Sequence, residues 1–353
     1  MNSRMERKQK KAKKKRIKKR YIILSIFASL FIFSVAYGAI QYETGRSESM
    51  SKLEATDNAN EGSLDPSQEL QFTPDKPENE ETLNVLLIGV DTEENEPART
   101  DTIMVAQYSP KDGTAKLASI MRDSYVSIPG YQDNKINAAF FFGGPELLRQ
   151  TIKENFDLDV HYYAMVNFDG FVSLVDAIAP NGIELDIKNR MYYQSSNTYI
   201  DFQPGVQTLD GQQALNYVRF RSDSNNDFGR VARQQEMLSL LKDELLSLSG
   251  LTRVPRLIGQ IEPYIDTNIT TGKVISLGRD FLLNPVEEIE TLRIPIENGY
   301  VDRTYSHAGQ VLELDFEKNR QAISAFFNPD QENTEMIMSA HDHIDDAPYE
   351  EGH

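Results

Sequence analysis

The sequence predicts an α/β domain layered around a buried sheet and held outside a membrane by one N-terminal helix. Three observations predict it. From Leu83 onward, short apolar runs of strand length alternate with longer amphipathic stretches, the signature of interleaved strands and helices. Residues 1–20 hold twelve Lys or Arg against one acid, Glu6, and abut twenty-two residues without a charge, Tyr21 to Tyr42. Between that span and Leu83 the chain is rich in Glu, Ser, Asn, Asp, Thr and Pro and poor in large apolar residues.

The ends come first. The basic block carries +11 in a chain of −17, which leaves −28 for residues 21–353. At ~1.5 Å per residue, twenty-two helical residues reach ~33 Å, enough for a hydrocarbon core of ~30 Å. Tyr21, Tyr37 and Tyr42 fall near the two interfaces, where aromatic belts sit. The positive-inside rule puts residues 1–20 in the cytoplasm and the rest beyond the span outside the cell. A cleaved signal peptide would have a shorter apolar core, and Ala36-Tyr37-Gly38-Ala39 is a poor cleavage site. A nucleic-acid-binding tail does not explain the apolar span beside it, so no nucleic-acid partner is expected. Residues 43–82 read as a disordered stalk and 329–353 as a disordered acidic tail. His341 and His343 lie among acids in that tail; a solvated segment explains them better than a metal site. The chain has no cysteine, so an exported domain stands without disulfides, which suits a Gram-positive-type bacterium.

Residues 83–328 form the folded domain. Leu83–Val90, Thr102–Ser109 and Ala115–Met121 are continuous apolar runs, expected as buried strands, with a hairpin turn at Ser109-Pro110-Lys111-Asp112-Gly113. Lys135-Ile136-Asn137-Ala138 opens a helix, and Pro145–Asn155 is helical. Tyr162–Phe168 is a strand, Asp169–Ala179 a helix, Gly182–Ile187 a strand and Asp210–Asn216 a helix. Long amphipathic helices follow at Arg230–Leu248 and Val274–Leu283. Ile289–Ile294 and Val311–Leu314 are late strands, and Glu317–Phe327 is a last helix.

The chemistry concentrates in Leu215-Asn216-Tyr217-Val218-Arg219-Phe220-Arg221 and Asp227-Phe228-Gly229-Arg230-Val231-Ala232-Arg233-Gln234. Arg219 and Arg221, two apart, share a face if they lie on a strand; Arg230 and Arg233, three apart, share a face of a helix. Two pairs of guanidinium forks near a helix N-terminus make an anion site, and arginine is preferred where phosphate is held bidentately. A set of surface salt bridges on a helix is the competing explanation. Asp91 ends the first strand and Asp101 begins the second. Carboxylates at strand ends point into the ligand crevice of an α/β sheet, and two such oxygens are what Mg²⁺ takes from a protein. Each acid could equally cap a turn. Arg99 and Arg122 add to a cluster that suits a pyrophosphate and a transferring phosphoryl group. Ala138-Ala139-Phe140-Phe141-Phe142-Gly143-Gly144 is either plain core or, beside such a site, a groove for a lipid chain.

Taken together, NVLLIGVD, Arg99-Thr100-Asp101, SIMRDS, KINAAFFFGG, MVNFDGFVSLVDAI, LDGQQALNYVRFR and DFGRVARQQ resemble, in order, the blocks of the LytR-CpsA-Psr family of bacterial envelope proteins. The resemblance runs from Leu83 to Leu248 and weakly on to Asn328. It departs at Met121, where the family usually has Pro, and at Ala179-Pro180-Asn181-Gly182, where it usually has paired glycines. The resemblance implies a layered α-β-α fold with a central mixed sheet. It implies a Mg²⁺-dependent phosphotransferase that moves a glycopolymer (wall teichoic acid, capsule or another polymer) from polyprenyl pyrophosphate to the 6-hydroxyl of N-acetylmuramic acid in peptidoglycan. Carried onto this chain, Arg99, Arg122, Arg219, Arg221, Arg230, Arg233 and Gln234 bind the pyrophosphate. Asp91 and Asp101 hold the metal, and Phe140, Phe141 and Phe142 line the lipid groove. From its own place between the two arginine pairs, Asp227 is the candidate base for the acceptor hydroxyl, or else it caps the helix that carries Arg230 and Arg233. A membrane-bound regulator of envelope genes and a pyrophosphohydrolase using water are the rival expectations.

Overall fold

The computed structural model describes residues 36–51, 72–74, 82–91, 99–195, 198–222, 226–247 and 254–329. Six strands form the mixed sheet that organises the domain: β1 (Leu83–Asp91), β2 (Arg99–Ser109), β3 (Thr114–Ile120), β6 (Tyr162–Asn167), β11 (Ile265–Thr267) and β12 (Ile289–Ile294). Their spatial order is β11-β6-β1-β2-β3-β12. β1 pairs parallel with β6 and β3 parallel with β12; the β1–β2, β2–β3 and β6–β11 pairs are antiparallel. The mixed sheet agrees with the fold expected from the resemblance.

Alternation along β1 assigns the two faces. Leu86, Ile88 and Val90 are buried and pack in one core with Leu148, Ile152 and Phe156 of α2 (Ile136–Phe156) and with Ile323 and Phe327 of α8 (Phe316–Phe327). Leu87, Gly89 and Asp91 alternate to the other face. α2 is broken at Gly143 and at Gly144, whose φ of 61° lies in the left-handed region, just before Pro145.

The opposite face is covered by α3 (Phe168–Ile178), α4 (Gly211–Arg219) and α5 (Asn226–Leu246), whose own core includes Val175, Leu209, Leu215, Met237 and Leu241. α4 starts at a capping box, with Asp210 accepting from the Gln213 amide at 2.8 Å and Gln213 reaching back to the Asp210 amide. Between β11 and β12 the chain forms α7 (Thr271–Leu283), where the Thr270 side chain caps the first turn. A second sheet adjoins the end of β3. It comprises β4 (Ser124–Val126), β5 (Asn134–Lys135), β13 (Tyr300–Tyr305) and β14 (Gly309–Leu314), in the order β13-β14-β4-β5. Two small antiparallel sheets complete the described strands: β7 (Ile183–Ile187) pairs with β10 (Gly205–Leu209), and between them in sequence β8 (Met191–Gln194) forms a hairpin with β9 (Tyr199–Phe202).

Two expectations need correction. Arg219 and Arg221 do not share a strand: the helix expected to Asn216 runs on as α4 to Arg219, and Phe220 turns extended at φ −61°, ψ 134°. The apolar residues Leu215 and Val218 recur at helical spacing, and that period prevails over the Arg219/Arg221 alternation. The stalk also begins as structure. A helix (α1) covers 36–51 and crosses α6 (Val254–Ile261) closely enough that a Cβ on Gly45 would stand 2.2 Å from the Arg256 carbonyl oxygen. Tyr42 donates to Glu262 at 2.8 Å, Ser49 to the Gln260 carbonyl at 2.8 Å, and Arg256 to Glu48. Farther along, the Thr73 amide donates to Glu146 at 3.0 Å and Phe72 packs on Tyr163 with ring centres 4.9 Å apart. Composition misses both because a few contacts are enough to hold them: polar contacts with α6 and Glu262 for the first, one ring and one carboxylate for the second. Among the described residues no helix is long and apolar enough to cross a membrane; Tyr21 to Val35 of the expected span lie outside them.

Candidate active site

A cavity of about 720 Å³ lies between the sheet and helices α3, α4 and α5. Its floor is apolar: Leu87, Met104, Ala164, Val166, Phe171, Leu174 and Leu238 line it. This explains why β1 reads as an apolar run on both faces although only one face meets a packed core. Its rim is charged, with Asp91, Asp101, Arg219, Arg221, Arg230 and Gln234 together. Six residues that the sequence scatters over more than 140 positions thus converge where β1 and β2 meet the C-terminal end of α4 and the N-terminal turns of α5.

Each rim residue has a local cause. Asp91 ends β1 on the same face as Leu87 and Gly89, and Arg219 stands 3.7 Å from it. The Arg219 guanidinium lies 4.0 Å from the ring centre of Phe168, the residue after the α3 N-cap Asn167. Asp101 pairs with Arg122, and Arg230 stands 3.8 Å away. Burial pushes the Asp101 carboxyl upward, but the charge and hydrogen bond of Arg122, with Arg230, outweigh it and hold it below the usual carboxylate range. Gln234 donates to the Thr102 hydroxyl at 2.9 Å.

Asp227, in the first turn of α5, lies 3.3 Å from Arg230, 3.7 Å from Arg221 and 3.8 Å from Arg122. It is the anion around which three guanidiniums gather. That placement suits holding the clamp better than taking a proton. Arg230 is 4% exposed, burial pulls its guanidinium below the ordinary range, and its Nε is buried with no hydrogen-bond acceptor. A buried charged donor without an acceptor fits an incoming phosphate oxygen. Arg122 is steadied from behind by Asp123 at 3.4 Å, which also holds Lys135 at 2.7 Å. Lys135 therefore joins the cluster; the sequence carries no signal for it, because its contact with Asp123 depends on the pairing of β5 with β4.

Several expected site residues stand elsewhere. Arg233 is buried and donates to the Phe220 carbonyl, with Phe220's ring 5.5 Å away, so it fastens the loop that presents Arg221 and does not line the cavity. Phe140 belongs to the α2 core, whereas Phe141 and Phe142 are exposed and Phe142 stacks on Tyr131 at 4.7 Å; none borders the cavity. The apolar groove is made by α3, β6 and α5 instead. Its signal was α3 itself: in FDGFVSLVDAI the apolar residues cover a wide stripe and leave only Asp169, Ser173 and Asp176 on a narrow polar face, as befits a helix with a core on one side and a cavity on the other. Arg99 sits opposite Asp91 in the β1–β2 register. Met121 donates its amide to the Ile294 carbonyl at 2.8 Å, a bond that proline at this position could not make.

Asp91 and Asp101 offer hard carboxylate oxygens at an arginine-lined rim, a donor set that fits Mg²⁺ completed by phosphate and water. Among the described residues no group of three His, Asp or Glu gathers into a fuller cage.

Comparison with known proteins agrees with this architecture. The LytR_cpsA_psr family model matches residues 39–323. "Regulatory protein MsrR" of Staphylococcus aureus (strain COL) is 36% identical over 252 residues, 71% of this chain and 76% of that protein. The "Polyisoprenyl-teichoic acid--peptidoglycan teichoic acid transferase TagU" of Enterococcus faecalis (strain ATCC 700802 / V583) is 32% identical over 265 residues, 74% of this chain and 82% of that protein. The crystal structure of B. subtilis TagV superposes with a TM-score of 0.60 at 25% identity, covering 71% of this chain and 98% of that one.

Proposed function

The chain belongs to the LytR-CpsA-Psr family, and we propose that it is a membrane-anchored phosphotransferase moving a glycopolymer from a polyprenyl-pyrophosphate carrier to peptidoglycan outside the cell. One observation carries the reading: an apolar cavity of about 720 Å³ opens onto a rim of paired arginines and carboxylates. That is the shape of a long-chain lipid with a di-anionic head. TagU's name, a teichoic acid transferase acting on a polyisoprenyl-linked substrate, supports it. In this reading the prenyl chain lies between α3, β6 and α5. Arg219, Arg221 and Arg230 take the pyrophosphate, with Arg122 and Gln234 beside them. Their forks are preorganised by Asp101 and Asp227, so charge that develops on the phosphoryl group meets donors already in place. Mg²⁺, held by Asp91 and Asp101, would neutralise phosphate charge. The apolar walls keep water from the activated group until the sugar hydroxyl arrives. The acceptor is the 6-hydroxyl of N-acetylmuramic acid, and the product is a phosphodiester.

The name of MsrR favours a second reading, a regulator of envelope genes. An extracellular domain reaches transcription only indirectly, so regulation follows from altered wall chemistry. The deciding assay gives the protein a lipid-linked glycan pyrophosphate and Mg²⁺, with either peptidoglycan fragments or water alone. A phosphodiester product that needs peptidoglycan supports the transferase. Equal phosphate-ester release in water makes it a hydrolase, and no turnover with any lipid-linked polymer leaves the regulator.

A further inference from the structure

The charged groups run in one direction across the sheet. The lipid cavity lies over β6 and β1; Asp101 and Arg230 border it. Arg122 is the next group along, paired to Asp101, and does not border the cavity. Asp123 holds Arg122 and, on its other oxygen, Lys135. Lys135 is paired in register with Tyr125 across β4–β5, so the two side chains share one face of the second sheet.

Tyr125 is the start of an aromatic surface. Its ring stacks on Tyr305 with centres 4.6 Å apart and planes 19° from parallel, and His307 adjoins both at 6.2 and 5.8 Å. The rings are pinned by their polar ends. Tyr305 donates to Glu313 at 2.8 Å, the His307 Nε2 lies 3.0 Å from the Asp133 carbonyl, and Tyr125 Oη lies 3.4 Å from the same nitrogen. Arg303 holds Glu313 at 2.8 Å. These contacts fix an exposed patch that contributes little to any core, since Tyr125 and Tyr305 are half-buried and His307 is exposed. Rigid amphipathic rings beside a carboxylate and a guanidinium suit the apolar face and hydroxyl rim of a pyranose.

Resting on the transferase reading, we infer that the Tyr125–Tyr305–His307 face is the subsite for the acceptor sugar of peptidoglycan. Phosphoryl transfer places the attacking and leaving oxygens roughly in line. The sugar hydroxyl oxygen bonds to the polymer-side phosphorus. The bridging P–O bond breaks, its electron pair goes to the lipid phosphate, and the hydroxyl proton follows it there. The leaving lipid occupies the cavity, so the hydroxyl enters from the opposite flank of the Arg122–Asp101 pair, and this face lies on that flank. The β8–β9 hairpin, which carries the exposed Tyr192 and Tyr199, borders the lipid cavity through Tyr193 and so lies on the flank of the leaving lipid.

The test uses the full chain in detergent, a lipid-linked donor at saturation, and a soluble N-acetylglucosaminyl-N-acetylmuramyl peptide as varied acceptor. Tyr305→Ala and His307→Ala should raise the acceptor KM about tenfold, with donor affinity and melting temperature unmoved, while Tyr305→Phe stays near the parent. Calorimetric binding of the acceptor fragment alone should weaken in the same variants. A merely structural role would lower stability and kcat and leave KM alone. Unchanged KM and fragment affinity in both alanine variants overturn the subsite even if transfer is intact. Loss of all transfer in the parent counts against the transferase reading instead, and the fragment-binding measurement then still decides the subsite.

Discussion

Placing the lipid chain in the cavity under α3, and not along Phe140–Phe142, has a direct test in Ala164→Phe. Ala164 sits in β6 between Leu87 of β1 and Thr267 of β11, and it lines the apolar floor. Phenylalanine suits a strand, so the sheet tolerates it. Taking about 30 Å³ per water-sized group, a cavity of about 720 Å³ accepts roughly two dozen carbons. The added ring displaces about six of them. At ~0.8 kcal/mol per buried methylene the ceiling is ~5 kcal/mol, and rerouting of a flexible chain recovers about half of it. A loss of ~2.5 kcal/mol corresponds to about 60-fold in affinity. The assay is binding of a long-chain polyprenyl pyrophosphate to the detergent-solubilised protein, with a short-chain pyrophosphate as control. The long chain should lose affinity and the short one should not, and Phe141→Ala with Phe142→Ala should bind like the parent. Equal long-chain affinity in a folded Ala164→Phe protein, or a large loss in the Phe141/Phe142 variant, refutes the placement.

Other outcomes follow from the same geometry. Arg221→Lys and Arg230→Lys keep the charge but lose the fork, and should cut transfer by roughly 10²–10³; a rate within twofold of the parent would show that only net charge matters. Asp91→Asn should raise the Mg²⁺ concentration needed for half-maximal transfer, and an unshifted titration would remove Asp91 from the metal site. Glu146 carries a pH signature: burial pushes its carboxyl up, but Arg149, the Thr73 amide and Gln150 outweigh this and bring it down to about 2. A depressed carboxylate contributes stability above its ordinary value of 4.5 that is lost as the pH falls toward about 2. Protease access near residue 73 should therefore rise across that window in the parent and be raised and pH-independent in Glu146→Gln. Gly45→Leu should release α1 from α6, since the new Cβ would begin 2.2 Å from the Arg256 carbonyl oxygen; limited proteolysis that leaves residues 36–51 as protected as in the parent would show the helix crossing to be unimportant.

Much of the site is legible because arginine and aspartate stand out in an apolar or acidic background. Asp91 and Asp101 are found from their places at strand ends, and Arg219, Arg221 and Arg230 from their spacing around one linker. What goes astray depends on partners far along the chain. Arg233 looks equivalent to Arg230 one helical turn away, yet its fork meets the Phe220 carbonyl. Phe141 and Phe142 look like a groove in sequence, yet the break at Gly143 and Gly144 leaves them exposed, with Phe142 stacked on Tyr131. Segment 43–51 has a stalk's composition, yet glycine lets it approach α6 at backbone distance.

By itself, the sequence determined the periodicities, the succession of strands and helices along the chain and the set of charged residues able to bind a phosphate. These are local quantities: apolar spacing selects helix or strand, and a guanidinium carries its chemistry wherever it lies. Only the tertiary structure decided which arginines face the cavity, that the apolar floor belongs to α3, β6 and α5, and that Lys135 and Tyr125 continue the line of groups begun at Asp101. The reason is that a cavity has no sequence of its own: its volume is left by elements that cannot close on one another. Here β1 and α3 are apolar on the sides they turn to each other, and the space between them stays open as an apolar cavity.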